Sequence, residues 1–293
     1  MKRKGFLAIL TAMAMIGSMG VCVYAADDAA ATEDVLADYT GKADYKIGFS
    51  QCTLASPSYV TMKAVAEDYA KQLGVDFVCV SADDDVTKQN NDINDMISSG
   101  IDALILNPIN AEGVAPAIEA CQKADIPVIT VDRNVNDGNT AYVGRDNEEM
   151  GRLVGEAPGL EVIQSAYCDY TRSKAVTAAQ DLLQSNDGIV AVYGHNDDMS
   201  LGAAQVLEEK GIEGVKVTGV DGLMEAVMAI QDGKYSITTM NDPGSLLKVA
   251  MNTTLKVLNG EDYDEFVDAG TGVIDSSNVA DYVDDSLAFA AMK

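Results

Sequence analysis

Residues 102–133 read DALILNPINAEGVAPAIEACQKADIPVITVDR. The two apolar runs inside it, ALIL and VITV, are too short for helices and show no alternation with polar residues. Strands that are apolar on both faces belong in a parallel sheet covered on both sides. Between them, from Ala111 to Lys123, the apolar residues recur at helical spacing. Strand, helix, strand is the repeating unit of an α/β fold. Each strand here runs out on polar residues, Asn107-Pro108 after the first and Asp132-Arg133 after the second. Charged groups at the end of a core strand cost free energy unless something satisfies them.

The same grammar extends in both directions. YKIGFSQ is a strand, and Ser56-Pro57 opens a helix carrying Met62, Val65, Ala66, Tyr69 and Leu73 that Gly74 stops. VDFVCV is the next strand, followed by a helix with Val86, Ile93, Met96 and Ile97 that ends at Gly100. Beyond AYVGRDN come the strands LEVIQSAY, GIVAVY, VKVTGV and SITTM, with helices after Arg172, Asp198, Gly222 and Pro243. These strands are too many for one compact sheet of ordinary size, so the reading is two α/β lobes with parallel sheets.

Composition limits the partners. The 293 residues carry 20 Lys and Arg against 46 Asp and Glu, a formal charge of −26. Such a polyanion repels nucleic acid and anionic lipid. The basic MKRK start, the uncharged FLAILTAMAMIGSMGV behind it and the small-residue site at Val23-Tyr24-Ala25 have the layout of a secretory leader over residues 1–25. The apolar run is short for a bilayer span. Cys22 offers a lipoprotein alternative, disfavoured because Val21 stands where a small residue is expected. Residues 26–43 read as an acidic linker. With one histidine in the chain and no C-x-x-C, no metal site is expected. Cys79 and Cys121 read as core residues.

Ligands of such sheets bind outside the carboxyl ends of the strands. Those ends read Gln51-Cys52-Thr53, Asn107-Pro108, Asp132-Arg133, Tyr170-Thr171-Arg172, Asn196-Asp197-Asp198, Asp221-Gly222 and Asn241-Asp242. Paired donors and acceptors of this kind suit a ligand covered in hydroxyls. Asp198 and Asp242 have a simpler reading as helix caps. Catalysis finds little support: there is no G-x-S-x-G, Walker loop or H-E-x-x-H, and His195 reads as a rim or loop residue, so an exported enzyme using His195 or the acids is the least favoured reading. The run Asp83-Asp84-Asp85 lacks the spacing of a calcium loop and reads as a solvated helix start.

Taken in order, TLASPSYVTMKAVAEDYAKQLG, LILNP, IPVITVDR, GHNDDMSLGAAQVLEEKG, VTGVDG and TTMNDPGSL resemble the exported sugar-binding proteins of ABC importers. The likeness is to the ribose/galactose/xylose-type branch, whose fold is shared by the ligand cores of LacI-type repressors. It implies two Rossmann-like lobes, residues 44–145 with 242–270 and residues 146–241 with 271–293, closing on a monosaccharide. By this resemblance Ser56 and Tyr59 come from the first strand–helix loop, with Tyr59 stacking on the sugar face. Asn107, Asp132 and Arg133 bind hydroxyls, Tyr170 and Arg172 match the second lobe's aromatic-then-basic loop, and Asn196, Asp221 and Asn241 complete the ring. The implied partners are a monosaccharide and an importer permease, with no cofactor and no reaction. The alternative is a sugar or autoinducer receptor that presents its ligand to a membrane sensor. One departure stands out. Glu156-Ala157-Pro158-Gly159 joins a helix directly to LEVIQSAY, where the family carries a further strand, a ligand loop with an Arg and a helix. The second lobe is therefore expected to lack one strand–helix unit near residues 156–160.

Overall fold

The computed structural model describes residues 6–10, 36–155 and 161–292. The proposed cleavage site, Cys22, most of the linker and the junction at 156–160 lie outside these residues. The chain forms two compact units, and between residues 36 and 292 it passes from one to the other at 145/146, 242/243 and 270/271.

The N unit comprises residues 36–145 and 243–270. Its strands are β2 (Lys46–Gln51), β3 (Asp76–Ser81), β4 (Ala103–Leu106), β5 (Val128–Val131), β6 (Ala141–Gly144) and β11 (Phe266–Asp268), ordered β11-β6-β5-β4-β2-β3. Every pairing in this sheet is parallel. Its helices are α1 (Pro57–Leu73), α2 (Val86–Ser98), α3 (Ala115–Lys123) and α8 (Pro243–Asn259). The two apolar faces inferred from the sequence are both covered. Ile105, Ile129 and Val131 pack with Met62, Ala66 and Leu247 on one side, and Leu104, Leu106 and Val128 pack with Ile93, Met96 and Ile118 on the other.

Local signals set the helix ends. Pro57 fits the first turn of α1, where no backbone N–H is needed. Gly74, at φ 78°, turns the chain off its far end. Asp85 caps α2, accepting from the N–H groups of Thr87 at 2.8 Å and Lys88 at 3.1 Å. Helix α3 starts at Ala115, four residues later than expected, because residues 111–114 form a turn. Residues 36–43 are docked rather than loose: Asn252 donates to the Ala37 carbonyl at 2.9 Å, and Lys248 pairs with Asp38 at 2.7 Å.

The C unit comprises β1 (Phe6–Leu10), residues 146–242 and Thr271–Met292. Its strands, β7 (Glu161–Gln164), β8 (Ile189–Gly194), β9 (Lys216–Asp221), β10 (Ile237–Met240) and β12 (Val273–Asp275), join β1 in the order β12-β10-β9-β8-β1-β7. Only β12 runs antiparallel to its neighbour in the recorded pairings. The helices are α4 (Asn147–Gly155), α5 (Arg172–Ser185), α6 (Asp197–Glu209) and α7 (Met224–Gln231), and the core gathers Val192, Val217, Met240 and Ile274 with Ala175, Ala203 and Val227. Among the described residues no strand–helix unit lies between α4 and β7, and the sixth strand of this sheet is Phe6–Leu10, which composition assigns to the leader.

Cys52, Cys121 and Cys168 are buried and Cys79 is half-buried, and none of these four forms a disulfide. Burial pushes the thiols of Cys52 and Cys121 up to about 11 and that of Cys79 up to about 12.

Candidate ligand-binding site

On the N unit the candidate residues meet at the ends of β2, β4 and β5. Asp132 follows β5 with φ 64°, and the Arg133 N–H donates back to the Val131 carbonyl at 2.7 Å across it. This is a γ-type turn, a strained conformation for a residue with a side chain. Its effect is to set the Asp132 carboxylate and the Arg133 guanidinium at one strand end. The Arg133 Nη2 donates to the Tyr59 hydroxyl at 2.8 Å, and that hydroxyl donates to Asp132 Oδ2 at 3.2 Å. The guanidinium also stands over the Tyr59 ring, 5.5 Å from its centroid. Tyr59 is buried. Its hydroxyl thus forms a relay between base and acid.

Asn107 completes the group. Its Nδ2 donates to Gln51 Oε1 at 2.8 Å and lies 3.5 Å from Asp132 Oδ2. The amide is thereby oriented, and Asn107 Oδ1 is buried with no hydrogen-bond partner. A buried acceptor of this kind costs free energy until a donor reaches it. Two residues outside the predicted ligand set, Gln51 and Gln89, hold the arrangement. Gln89, wholly buried on α2, donates to the Asn107 carbonyl at 2.9 Å and accepts from the Ile109 N–H at 2.9 Å. Gln51 orients the Asn107 side chain. Gln51 was visible as a strand-end residue, whereas Gln89 carried the signal of a polar residue on a buried helix face. Burial pushes the Asp132 carboxyl above its ordinary range, while Arg133, Tyr59, Arg145 and Asn107 pull it down. Ser56 sits at the N-cap of α1 without a side-chain capping bond.

On the C unit, Tyr170 lies in the loop before α5 with φ 60° and is 40% exposed. Its hydroxyl accepts from Tyr167 at 3.0 Å, and the two rings meet edge to face. Asn196 fastens this loop: its Nδ2 donates to the Tyr170 carbonyl at 3.2 Å while its Oδ1 caps α6 through the Met199 N–H at 2.8 Å. Asn241 Nδ2 donates to Asp221 Oδ1 at 3.2 Å, so these two candidates pair at the ends of β9 and β10. Asp221 has φ 118°. Asp132, Tyr170 and Asp221 are thus three of the seven non-glycine residues with positive φ among the described residues. Strain of this sort concentrates where side chains are aimed for function.

Arg172 is held by two carboxylates. Its Nε donates to Asp198 at 2.9 Å, and its two terminal nitrogens meet Glu225 at 2.8 and 2.7 Å. It lines a groove of about 810 Å³ with Leu201, Ile212 and Lys234 on the flank of the unit. The guanidinium is engaged by carboxylates from two later helices. Asp198, expected as a cap, serves as its partner. Asp197 is wholly buried and receives Tyr235 at 2.7 Å, Thr238 at 2.8 Å and the Leu223 N–H at 2.9 Å, which ties α6 to the Asp221-Gly222 turn. Burial raises its carboxyl to about 7 against the pull of Tyr235, Thr238 and the backbone N–H groups of Leu223 and Gly222. His195 meets the Tyr193 ring edge to face, and partial loss of hydration around its imidazole lowers its pKa. Among the described residues no three His, Cys, Asp or Glu side chains gather as a metal site requires.

Comparison with known proteins places these features in a family. A model of the periplasmic binding protein domain matches residues 47–157 and 155–262. The ribose import binding protein of Bacillus subtilis (strain 168) is 30% identical over 264 residues, spanning 78% of this chain and 86% of that protein. Its counterpart from Escherichia coli (strain K12) is 27% identical over 246 residues, with 71% and 83% spanned. Among solved structures, an ABC transporter solute binding protein from Mycobacterium smegmatis with bound glycerol matches with a TM-score of 0.80 at 43% identity. That match covers 85% of this chain and 100% of the other. One from Bacillus halodurans with bound myo-inositol matches with a TM-score of 0.70 at 26% identity, covering 83% and 99%.

Proposed function

Because this chain belongs to the periplasmic binding protein domain family, we propose that it captures a monosaccharide or small polyol outside the cytoplasmic membrane and delivers it to an ABC importer. The observation that carries this reading is the strand-end cluster of Asp132, Arg133, Tyr59 and Asn107. It presents a buried carboxylate, a fixed guanidinium fork and an unpartnered amide oxygen within one small region. A vicinal diol answers all three, because each hydroxyl both donates and accepts. Asn107 Oδ1 accepts from one hydroxyl, and Asp132 and Arg133 hold the next.

On the C unit, Tyr170 supplies an exposed aromatic face for the apolar C–H side of a sugar ring. Asn196 and Arg172 fix the loop that carries it, and Asp221 and Asn241 offer further polar groups. Ser56, whose carbonyl accepts from the Tyr59 N–H at 3.1 Å, adjoins the N-unit cluster. No covalent step is needed for this task. Residues 1–25 act as the leader that exports the chain, with cleavage near Ala25. Ligands carried by relatives, ribose, glycerol and myo-inositol, share contiguous hydroxyls, and that is the class assigned here.

Titration calorimetry against a panel of pentoses, hexoses and polyols tests the assignment. Binding heat with at least one member and a matching rise in melting temperature are expected, since a ligand that binds only the folded state stabilises it. Absence of heat and of thermal shift across the whole panel would sink it.

A further inference from the structure

The turn that carries Asp132 is held by the neighbouring strand. Strands β5 and β6 run in parallel register, with Thr130 beside Tyr142 and Val131 beside Val143. One step further on, the Asp132 N–H donates to the Val143 carbonyl at 3.0 Å. The Asp132 carbonyl accepts from the Tyr142 hydroxyl, also at 3.0 Å. Both backbone polar groups of Asp132 are therefore tied to β6. Its φ of 64° is one that a residue with a side chain keeps where its surroundings over-determine it. The first tie is backbone to backbone and asks nothing of the sequence. The second depends on one side chain.

Two further residues serve that side chain. Tyr142 and Gly144 lie two positions apart on one face of β6. A Cβ at position 144 would stand 2.2 Å from both Cζ and Oη of Tyr142. Gly144 is not among the described residues with positive φ, so room for the tip of the ring, rather than backbone conformation, requires glycine there. Phe266 pairs in register with Tyr142 across β6 and β11. The two rings stack with centroids 5.5 Å apart and planes at 25°. Phe266 is 47% exposed on an edge strand, so it gains little from the core and braces the Tyr142 ring instead. Burial and the nearby Asp132 charge push the Tyr142 phenol up to about 12, which keeps it a donor at neutral pH.

We propose that Tyr142 is a positioning residue for the ligand-binding acid: its hydroxyl is a strut under the Asp132 carbonyl that holds the turn and so aims the Asp132 carboxylate. Gly144 leaves room for the strut and Phe266 braces it. Tyr142 acts through Asp132 rather than on the ligand. The assignment rests on the reading of Asp132 as a group that binds sugar hydroxyls.

Two variants reach the strut by different routes. Tyr142→Phe removes the hydroxyl and keeps the ring and its stack, whereas Gly144→Ala keeps the hydroxyl and pushes the ring tip aside. Hydrogen-exchange mass spectrometry without ligand gives the first readout. In both variants exchange across residues 131–134 is expected to rise by about tenfold or more, while β2 and β4 keep their protection. Calorimetry with the tightest-binding sugar of the panel gives the second. Tyr142→Phe is expected to lower affinity about tenfold. In an Asp132→Gly background, which has no carboxylate to aim and adopts positive φ freely, the same change is expected to shift affinity by less than about twofold. A role in packing alone would leave Tyr142→Phe like the native protein in both readouts. Unchanged exchange at 131–134 in Tyr142→Phe, or equal losses of affinity in the two backgrounds, overturns the proposal. If no sugar binds the native protein, the monosaccharide reading fails on its own. In that case, or if Asp132→Gly binds too weakly to titrate or Gly144→Ala fails to fold, exchange in Tyr142→Phe decides.

Discussion

The Tyr59 hydroxyl takes a hydrogen bond from Arg133 Nη2 at 2.8 Å and passes one to Asp132 at 3.2 Å. Acid and base at the end of β5 are thereby held through a third residue from α1. Replacing Tyr59 by Phe keeps the ring and removes the relay. The variant is expected to lose about 1–3 kcal/mol of stability through unmet polar groups. Its sugar affinity should fall by about tenfold or more. Denaturant melts and calorimetry of the same preparation check both numbers. Unchanged affinity would show that the relay has no part in binding.

Asp132 itself opposes folding at neutral pH. Its folded carboxyl titrates above the ordinary value, so the native state binds a proton more tightly than the unfolded chain. Its contribution is complete below the unfolded pKa and is lost as pH rises through the folded one. Asp132→Asn is therefore expected to leave melting temperature at pH 7 unchanged or raise it by on the order of a few degrees. The same change weakens sugar binding, because an acceptor is replaced by an amide. A variant that is both less stable and unchanged in binding would contradict this.

The same logic applies more strongly to Asp197, whose carboxyl is raised from 3.8 to about 7. The stability it contributes is full below about pH 4 and falls away as pH approaches and passes 7. Unfolding free energy measured from pH 4 to 8 is expected to decline more steeply in the native protein than in Asp197→Asn. Tyr235 can turn its hydroxyl to accept from the new amide, so the fold survives the change. Parallel pH profiles would show that Asp197 is ionised throughout.

Tyr170 and Arg172 separate binding from support. Tyr170→Ala removes an exposed ring and is expected to change stability by less than about 0.5 kcal/mol while lowering affinity about tenfold. Arg172→Ala breaks a bidentate pair with Glu225 and the link to Asp198 at a partly exposed site. The expected cost is about 1 kcal/mol, with a smaller and indirect effect on binding. Equal effects of the two changes on affinity would return Arg172 to the ligand-contacting set.

The N unit was almost fully legible because each of its decisions is local. A four-residue apolar run, a cap such as Asp85 and a stop such as Gly74 each act within a few positions of themselves. Asp132 and Arg133 were legible for the same reason, since charged residues directly after a buried strand must be met by a partner or a ligand. The pairings of the C unit were not. Arg172 meets Asp198 and Glu225, which arrive on later helices, and no spacing rule reveals that its donors are taken. Tyr59 entered the candidate set through the resemblance alone, and its link to Asp132 and Arg133 joins residues far apart in the sequence. Strand β1 was hidden furthest, because an apolar run behind MKRK fits a leader as well as it fits a strand, and parallel pairing carries no local signature.

The four unbridged thiols also give the molecule built-in timers. Cys52, Cys79 and Cys121 lie in the N unit and Cys168 in the C unit. Cys52, Cys121 and Cys168 are shut away from solvent, and protonation at neutral pH further slows reaction at Cys52, Cys79 and Cys121. Alkylation at Cys52, Cys121 or Cys168 must therefore wait for the surrounding structure to open. Counting labels on each unit over time would record how often each half of the chain breathes, without mutation or added dye.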